Sequence, residues 1–566
     1  MPVGILARAG IIFSVRLNGY LYFLAHMKRF CILLSVLIVS VTANAQTLTS
    51  SNLPIIVINT NGQEIPNDPK ITADMGIIYN GEGVRNTITD PFNHYNGKIG
   101  IEVRGQSSQM FPMKSYSVEL WDNAGASQDK SLFGLPKESD WVLYAPYTDK
   151  TLMRNFLAYT FSREMGHWAS NCRYVEVVIN GDYKGIYVFM EKIKRGSGRV
   201  PVTKIGTSDI SGDAVTGGYI FSIDKEADGW YSAVYPPYGT SGQNIRFSYI
   251  YPKLSAINSA QQNYLKSFVD SFETALKGDQ FQDKQNGWRK FADQASFIDY
   301  SIVNEISRNV DGYRLSSYFN KDRQSKGGKI IAGPAWDYDL AFRNANYCRG
   351  AETTGWAYQF NRDCPQDFWQ VPFWWYQFEK DSAYQAAFRC RWKQIRSGNL
   401  SDTRIFYLID SVVALTAEAR TRHFQRWPVL GQYIWPNPQP IPNTYAGEIT
   451  ALKEWLLART SWISSAIPNA GPCYDYPSGE KAAIIPAFYP NPFTNHFTLD
   501  IKSKIAQTLT VQITDATGRS LWKQSYSLQY GENYFTITTD QWTPGIYLLN
   551  YQATSGEKGS KKLLKQ

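Results

Sequence analysis

The chain has 566 residues, of which 43% are hydrophobic, 15% aromatic and 19% charged. This excludes a disordered or low-complexity polypeptide, because the apolar content is ample to build cores. The formal charge of +9 sits at the ends: residues 46–480 hold 45 basic against 44 acidic side chains, so the body has no bulk attraction for nucleic acid and no such partner is expected.

At roughly 100–200 residues per domain the length calls for several structural units. Met27-Lys28-Arg29, the apolar run 30–39 and the small residues ending Ala43-Asn44-Ala45 are the three parts of a secretory signal peptide. The uncharged stretch from Phe30 to Ala45 is 16 residues, short of the about 20 that a membrane span needs. The mature chain is therefore expected to begin at Gln46 without a transmembrane span, which leaves residues 1–26 as an upstream extension with no structural role. Cys31 would leave with the signal. Cys172, Cys348, Cys364, Cys390 and Cys473 remain, an odd number in an oxidising compartment. Cys348 and Cys364 flank a loop rich in Gly, Thr, Asn and Asp and are the preferred disulfide. With only His94, His167, His423 and His496 left, a His-rich zinc site or a Ser-His-Asp triad has little raw material.

From 53 to about 250 short β-rich runs dominate, among them 54–58, 75–79, 100–104 and 116–120. One helix interrupts them, capped by Asp149 and running from Lys150 to Gly166. The runs 175–179 and 186–190, joined across Asn180-Gly181, predict a hairpin. Beyond that, apolar stripes predict helices at 258–277, 295–308, 402–425 and 446–466. The architecture expected is α+β, a β-rich N-terminal half leading into a helical C-terminal half with a cleft at the junction. Residues 468–484 read as a linker, and the 485–566 unit as a small all-β sandwich.

Tyr489-Pro490-Asn491-Pro492-Phe493, Asp515-Ala516-Thr517-Gly518-Arg519, Gly545-Ile546-Tyr547-Leu548-Leu549 and Lys561-Lys562-Leu563 come in the order and spacing of a type A C-terminal sorting domain. That unit therefore resembles the export address of type IX secretion in Bacteroidetes-type bacteria. The resemblance implies passage through the periplasm, the type IX machinery as partner, and a secreted or surface-attached product.

Residues 51–465 resemble the CotH family, named for a spore-coat kinase with an atypical, minimised kinase fold. The resemblance rests on Arg104-Gly105-Gln106-Ser107-Ser108, Pro112-Met113-Lys114, Trp141-Val142-Leu143-Tyr144, Met153-Arg154-Asn155, Asn309-Val310-Asp311-Gly312-Tyr313 and Trp336-Asp337-Tyr338-Asp339. It implies a kinase-like domain over 46–467 that transfers phosphate from Mg-ATP to Ser or Thr of an extracytoplasmic protein. Such chemistry needs a cation for the phosphates, carboxylates for Mg²⁺ and a carboxylate beside the incoming hydroxyl. By the resemblance, Asp311 is the catalytic aspartate and Asp337 the metal ligand, with Asp339 sharing the ion. Lys114 is the phosphate contact, Arg154 on the helix facing the site either binds phosphate or pairs with a surface carboxylate, and Glu191 belongs to the hinge Met190-Glu191-Lys192-Ile193 that would hold adenine. Asn320 is the second metal contact, nine positions past Asp311 rather than the five usual in kinases. No Gly-rich loop precedes Lys114 and no His-Arg-Asp precedes Asp311. A surface adhesin or binding module on the same fold is the alternative. A carbohydrate hydrolase with paired carboxylates is a third class without a supporting motif.

Overall fold

Seven strands rich in β-branched and aromatic residues close into a barrel. They are Ile55–Asn59 (β1), Ile71–Ile78 (β2), Tyr95–Arg104 (β3), Ser115–Trp121 (β4), Asp140–Tyr144 (β5), Cys172–Ile179 (β6) and Asp182–Glu191 (β7). The computed structural model describes residues 48–225, 228–240, 242–468, 473, 485–503, 507–515, 517–528, 531–554 and 557–566. The expected signal peptide lies outside these residues, as does the expected linker apart from Pro468 and Cys473. Around the barrel the order is β1-β2-β3-β4-β5-β7-β6. All pairs are antiparallel except β1 with β6, where Ile55 stands opposite Glu176 and closes the ring. Closure leaves the barrel no free edge. The β6–β7 hairpin turns at Asn180 (φ 52°) and Gly181 (φ 79°), the left-handed pair that a two-residue turn of this hand needs.

Side-chain alternation sorts β7 between two cores. Tyr187 and Phe189 point into the barrel with Ile58, Ile77 and Ile101. Ile186, Val188 and Met190 face outward and join a larger core with helix α1 (Arg154–Glu164). The helix begins four residues later than the sequence predicts, because Leu152 adopts φ 65°, outside the right-handed region. Asp149 spans the preceding turn instead, accepting hydrogen bonds from the Arg154 backbone N–H at 2.8 Å and the Thr151 hydroxyl at 2.6 Å.

The second lobe combines a sheet with helices. Tyr219–Ile223 (β8), Trp230–Tyr231 (β9), Arg246–Tyr251 (β10), Ser317–Lys321 (β11) and Ile330–Ala332 (β12) form an antiparallel sheet in the order β9-β10-β8-β11-β12. Its longer helices are Ser259–Lys277 (α2), Gln294–Ser307 (α3), Ser382–Arg396 (α4), Asp402–Leu415 (α5), Ala417–Arg426 (α6) and Tyr445–Ala466 (α7). The single helix expected over 402–425 is two. The Thr416 hydroxyl donates to the Val412 carbonyl at 2.8 Å, a back-bond that bends helices. Helix α4 was not predicted, because four Arg and Lys interrupt its apolar stripe. Among the described residues no helix is long and apolar enough to cross a membrane.

Two further sheets share one core at the C-terminal end, as the sandwich expectation requires. One holds Ile485–Tyr489 (β13), His496–Ser503 (β14) and Gly531–Thr538 (β17), in that order. The other holds Ser520–Leu528 (β16), Gln507–Asp515 (β15), Gly545–Ala553 (β18) and Lys558–Lys565 (β19). Cys348 and Cys364 are disulfide-bonded as expected; a second bond, Cys390–Cys473, ties α4 to position 473. Cys172 is a buried thiol whose pKa burial pushes up to about 12.

One buried ion pair anchors the helical lobe. Arg459 of α7 reaches Glu305 of α3 at 3.1 Å, and neither side chain is more than 2% exposed. Glu305 also accepts from the Ala357 and Tyr358 backbone and from the Tyr313 hydroxyl. Removing one partner of such a pair strands a charge in the core. Arg459→Met is expected to cost about 3–5 kcal/mol in urea unfolding, and a loss below about 1 kcal/mol would show that the pair does not anchor the lobe.

Candidate functional site

A cleft of about 470 Å³ opens between the barrel, α1 and the five-stranded sheet, and among the described residues five carboxylates line it: Asp224, Asp228, Asp311, Asp337 and Asp339. Asp337 and Asp339 lie on the segment after β12. Helix α1 grips that segment by its backbone. Asn155 Oδ1 accepts from the Tyr338 N–H at 2.6 Å, and the Tyr159 hydroxyl accepts from the Asp337 N–H at 3.1 Å. Arg154 Nε donates to the Ala341 and Phe342 carbonyls just beyond. The Tyr159 ring stacks on Trp336 at 6.0 Å, and the Arg104 guanidinium lies 5.4 Å from the same indole. Held this way, Asp337 takes φ 63°, a left-handed conformation that Asp tolerates better than most residues and that clusters at functional sites.

Asp311 sits in the turn between α3 and β11. Its carboxylate accepts from Arg314 Nη2 at 2.9 Å. Arg314 is itself buried, donating to the Val310 and Trp369 carbonyls and stacked 3.9 Å from the Phe360 ring. The next residue must be glycine: a Cβ on Gly312 would stand 2.4 Å from Asn304 Oδ1. That same oxygen accepts from the Tyr338 hydroxyl at 3.1 Å, so Asn304 of α3 ties the Asp311 turn to the Asp337 segment. Asp224 closes the group from the end of β8, accepting from the Lys225 N–H at 2.8 Å.

Gathering like charges moves their titration. Enclosure in the cleft and then the Asp311 charge push Asp337 up to about 6, with Asp224 adding and Arg104 and Lys225 opposing. Burial, then Asp337 and Asp311, hold Asp339 well above the ordinary carboxylate range. Burial raises Asp224, with Asp311 adding to it against the Lys225 N–H. Among the described residues no three acid, imidazole or thiol side chains converge tightly enough to enclose a metal ion. The hard oxygen donors fit Mg²⁺ all the same, since that ion is commonly held by one or two carboxylates, with phosphate and water completing its shell.

The structure brings together Asp311, Asp337 and Asp339, and places the other expected residues elsewhere. Lys114 lies outside the cleft lining, its ammonium donating to the Gln109 carbonyl within the 105–111 loop. Arg154 is buried behind the cleft in an ion pair with Asp149. Met190 reaches the cleft, whereas the buried Glu191 carboxylate turns to the N–H and side-chain amide of Asn171. Asn320 faces a separate cavity of about 500 Å³ lined by Trp168, Tyr300 and Pro334. Sequence reasoning missed Asp224, Arg104 as a cleft cation, and Lys225. A lone acid at a strand end carries no signal until the fold shows which way the strand ends.

A family model described as CotH kinase protein matches residues 101–463, more than half of the chain, and the chain belongs to that family. A secretion system C-terminal sorting domain model matches residues 487–566 and marks the chain for type IX export to the cell surface or the medium. Comparison with curated proteins returns no match.

Two variants test this geometry. Asp337 titrates near 6 rather than at the ordinary 3.8, so folding favours its protonated form. The stability it contributes is complete below about pH 4 and is lost as the pH rises through about 6. At pH 7.5 without divalent cations, Asp337→Asn should therefore raise unfolding stability by about 1 kcal/mol, allowing for the water that reaches this side chain in the cleft, and flatten the pH profile over that window. A destabilised variant would contradict the crowding. Asn155→Ala should cost about 1–3 kcal/mol by orphaning the Tyr338 N–H, and an unchanged unfolding midpoint would remove α1 as the clamp.

Proposed function

We propose that the protein is a secreted protein kinase of the CotH type, transferring phosphate from Mg-ATP to Ser or Thr of an extracytoplasmic polypeptide on an atypical kinase-like fold. The observation that carries this reading is the meeting of Asp311 with Asp337 and Asp339 in one cleft, joined there by Asp224 from a third segment far away in sequence. Bound Mg-ATP would supply the transferable phosphoryl group and neutralise the acids. Asp337 and Asp339, on the segment that α1 fixes through its backbone, would hold the ion, and Asp224 adds a fourth acid from the end of β8. Asp311, oriented by Arg314, would take the proton of the acceptor hydroxyl as its oxygen bonds to the γ-phosphorus and ADP leaves. Lys114 would keep the 105–111 loop over the nucleotide through Gln109, and Arg154 would brace the metal-binding segment from behind. Met190 would bring the hinge to the adenine.

One observation favours a binding module without catalysis: Asn320, the expected second metal contact, faces the other cavity. Mass spectrometry decides between the two readings. With Mg-ATP and a panel of Ser/Thr-rich surface proteins, the wild type should deposit phosphate, Asp337→Ala should deposit none, and Asp311→Asn should be slower by roughly 10²–10⁴-fold. No phosphopeptide, together with no calorimetric Mg-ATP binding, would leave the binding module.

A further inference from the structure

A third cavity, of about 430 Å³, adjoins the acid cleft and shares Arg104, Asp228, Tyr249 and Trp336 with it. Its charge is the reverse. Arg104, Lys192 and Lys253 line it, from the end of β3, the residue after β7 and the turn after β10. Among the described residues the Lys192 and Lys253 ammonium groups have neither a hydrogen bond nor an ion pair, and Arg104 Nη1 is buried without a partner. Among the described residues the only acid in the lining, Asp228, accepts from the Tyr249 N–H at 3.1 Å. Asp140, the carboxylate whose charge acts on Lys192, is held by Lys194 at 2.6 Å. Burial depresses the Lys192 pKa, Asp140 opposes this, and Arg104, Lys70 and Lys253 depress it further, so the cations repel one another.

We propose that this pocket is an anion subsite in which Arg104, Lys192 and Lys253 hold a phosphate group of a ligand that extends into the acid cleft. A guanidinium stacked on an indole presents its planar donors to an oxyanion, and two flexible ammonium groups complete the charge. The volume exceeds one phosphate, so the group belongs to a larger molecule. Two sources share this chemistry, a nucleotide and a phosphorylated side chain of a polypeptide. The inference does not rest on phosphoryl transfer, since a catalytically silent binding module would keep the same pocket.

Calorimetry on the full-length protein without divalent cations tests it, using inorganic phosphate, ATP and a phosphoserine peptide as probes. Lys253 is exposed, so Lys253→Glu leaves the fold intact; Lys192→Gln is the second variant, and Lys329→Glu, exposed in the turn before β12, is the control. Phosphate should bind saturably, about tenfold more weakly in either pocket variant and unchanged in the control. A matching loss for ATP assigns the anion to the nucleotide; a loss for the phosphopeptide alone assigns it to a phosphorylated residue. Wild-type affinity for all three probes in both variants, or no saturable binding of any of them by the wild type, would overturn the subsite. No turnover is read, so an inactive kinase passes or fails on the same terms.

Discussion

Aspartates gathered in one cleft repel each other, and the organisation of the molecule around them follows from the need to keep them there. Water alone would let the loops drift apart; the chain instead fixes the Asp337 segment through its backbone and the Asp311 and Asp224 carboxylates through Arg314 and the Lys225 N–H. Helix α1 supplies Asn155 and Tyr159 to the Asp337 segment, and Asn304 of α3 touches both that segment and the Asp311 turn. Behind Asn304, the Glu305–Arg459 pair fastens α3 to α7. Holding the Asp337 segment by its backbone leaves the Asp337 oxygens open to a cation. Sites that bind charge commonly keep such unfavourable proximity at some expense of stability.

The motif Met153-Arg154-Asn155 shows how a sequence signature and its physical role can differ. Arg154 is basic and close to the cleft, which reads as a phosphate contact. Its guanidinium is instead spent on Asp149 and on the Ala341 and Phe342 carbonyls, so it acts on the shape of the segment that carries Asp337. Lys114 is similar, since the ammonium finds the Gln109 carbonyl within its own loop. In both cases the cation is satisfied by partners outside the cleft lining, a carboxylate and two carbonyls for Arg154 and one loop carbonyl for Lys114.

Much of the fold was legible because it is periodic. The β-branched runs announced the barrel strands, Asn180-Gly181 announced its hairpin, and the stripes of α2, α3 and α7 placed those helices within a residue or two. Barrel closure was not legible, because it depends on Ile55 meeting Glu176 across more than a hundred residues. The break at Thr416 depends on one side-chain bond, and the Cys390–Cys473 pairing on where α4 lies. Within the site, Asp311, Asp337 and Asp339 were found through motifs. Asp224, Arg104 and Lys225 became visible only when β3 and β8 were seen to end at the same opening. The charge division between the acid cleft and the adjoining cavity, where Arg104, Lys192 and Lys253 gather, is likewise a property of the tertiary structure.

The C-terminal sorting domain marks this cleft for the cell surface or the medium, and nucleotide is scarce there, so whether the acids take a cation together with a nucleotide is the central question. Anomalous diffraction from crystals grown with Mn²⁺ and a non-hydrolysable ATP analogue answers it most directly. The account predicts a manganese peak within about 2.3 Å of an Asp337 oxygen, with the analogue's phosphates completing the shell. A cleft with full nucleotide density and no metal, or a metal bound only outside the Asp224, Asp311, Asp337 and Asp339 group, would contradict it.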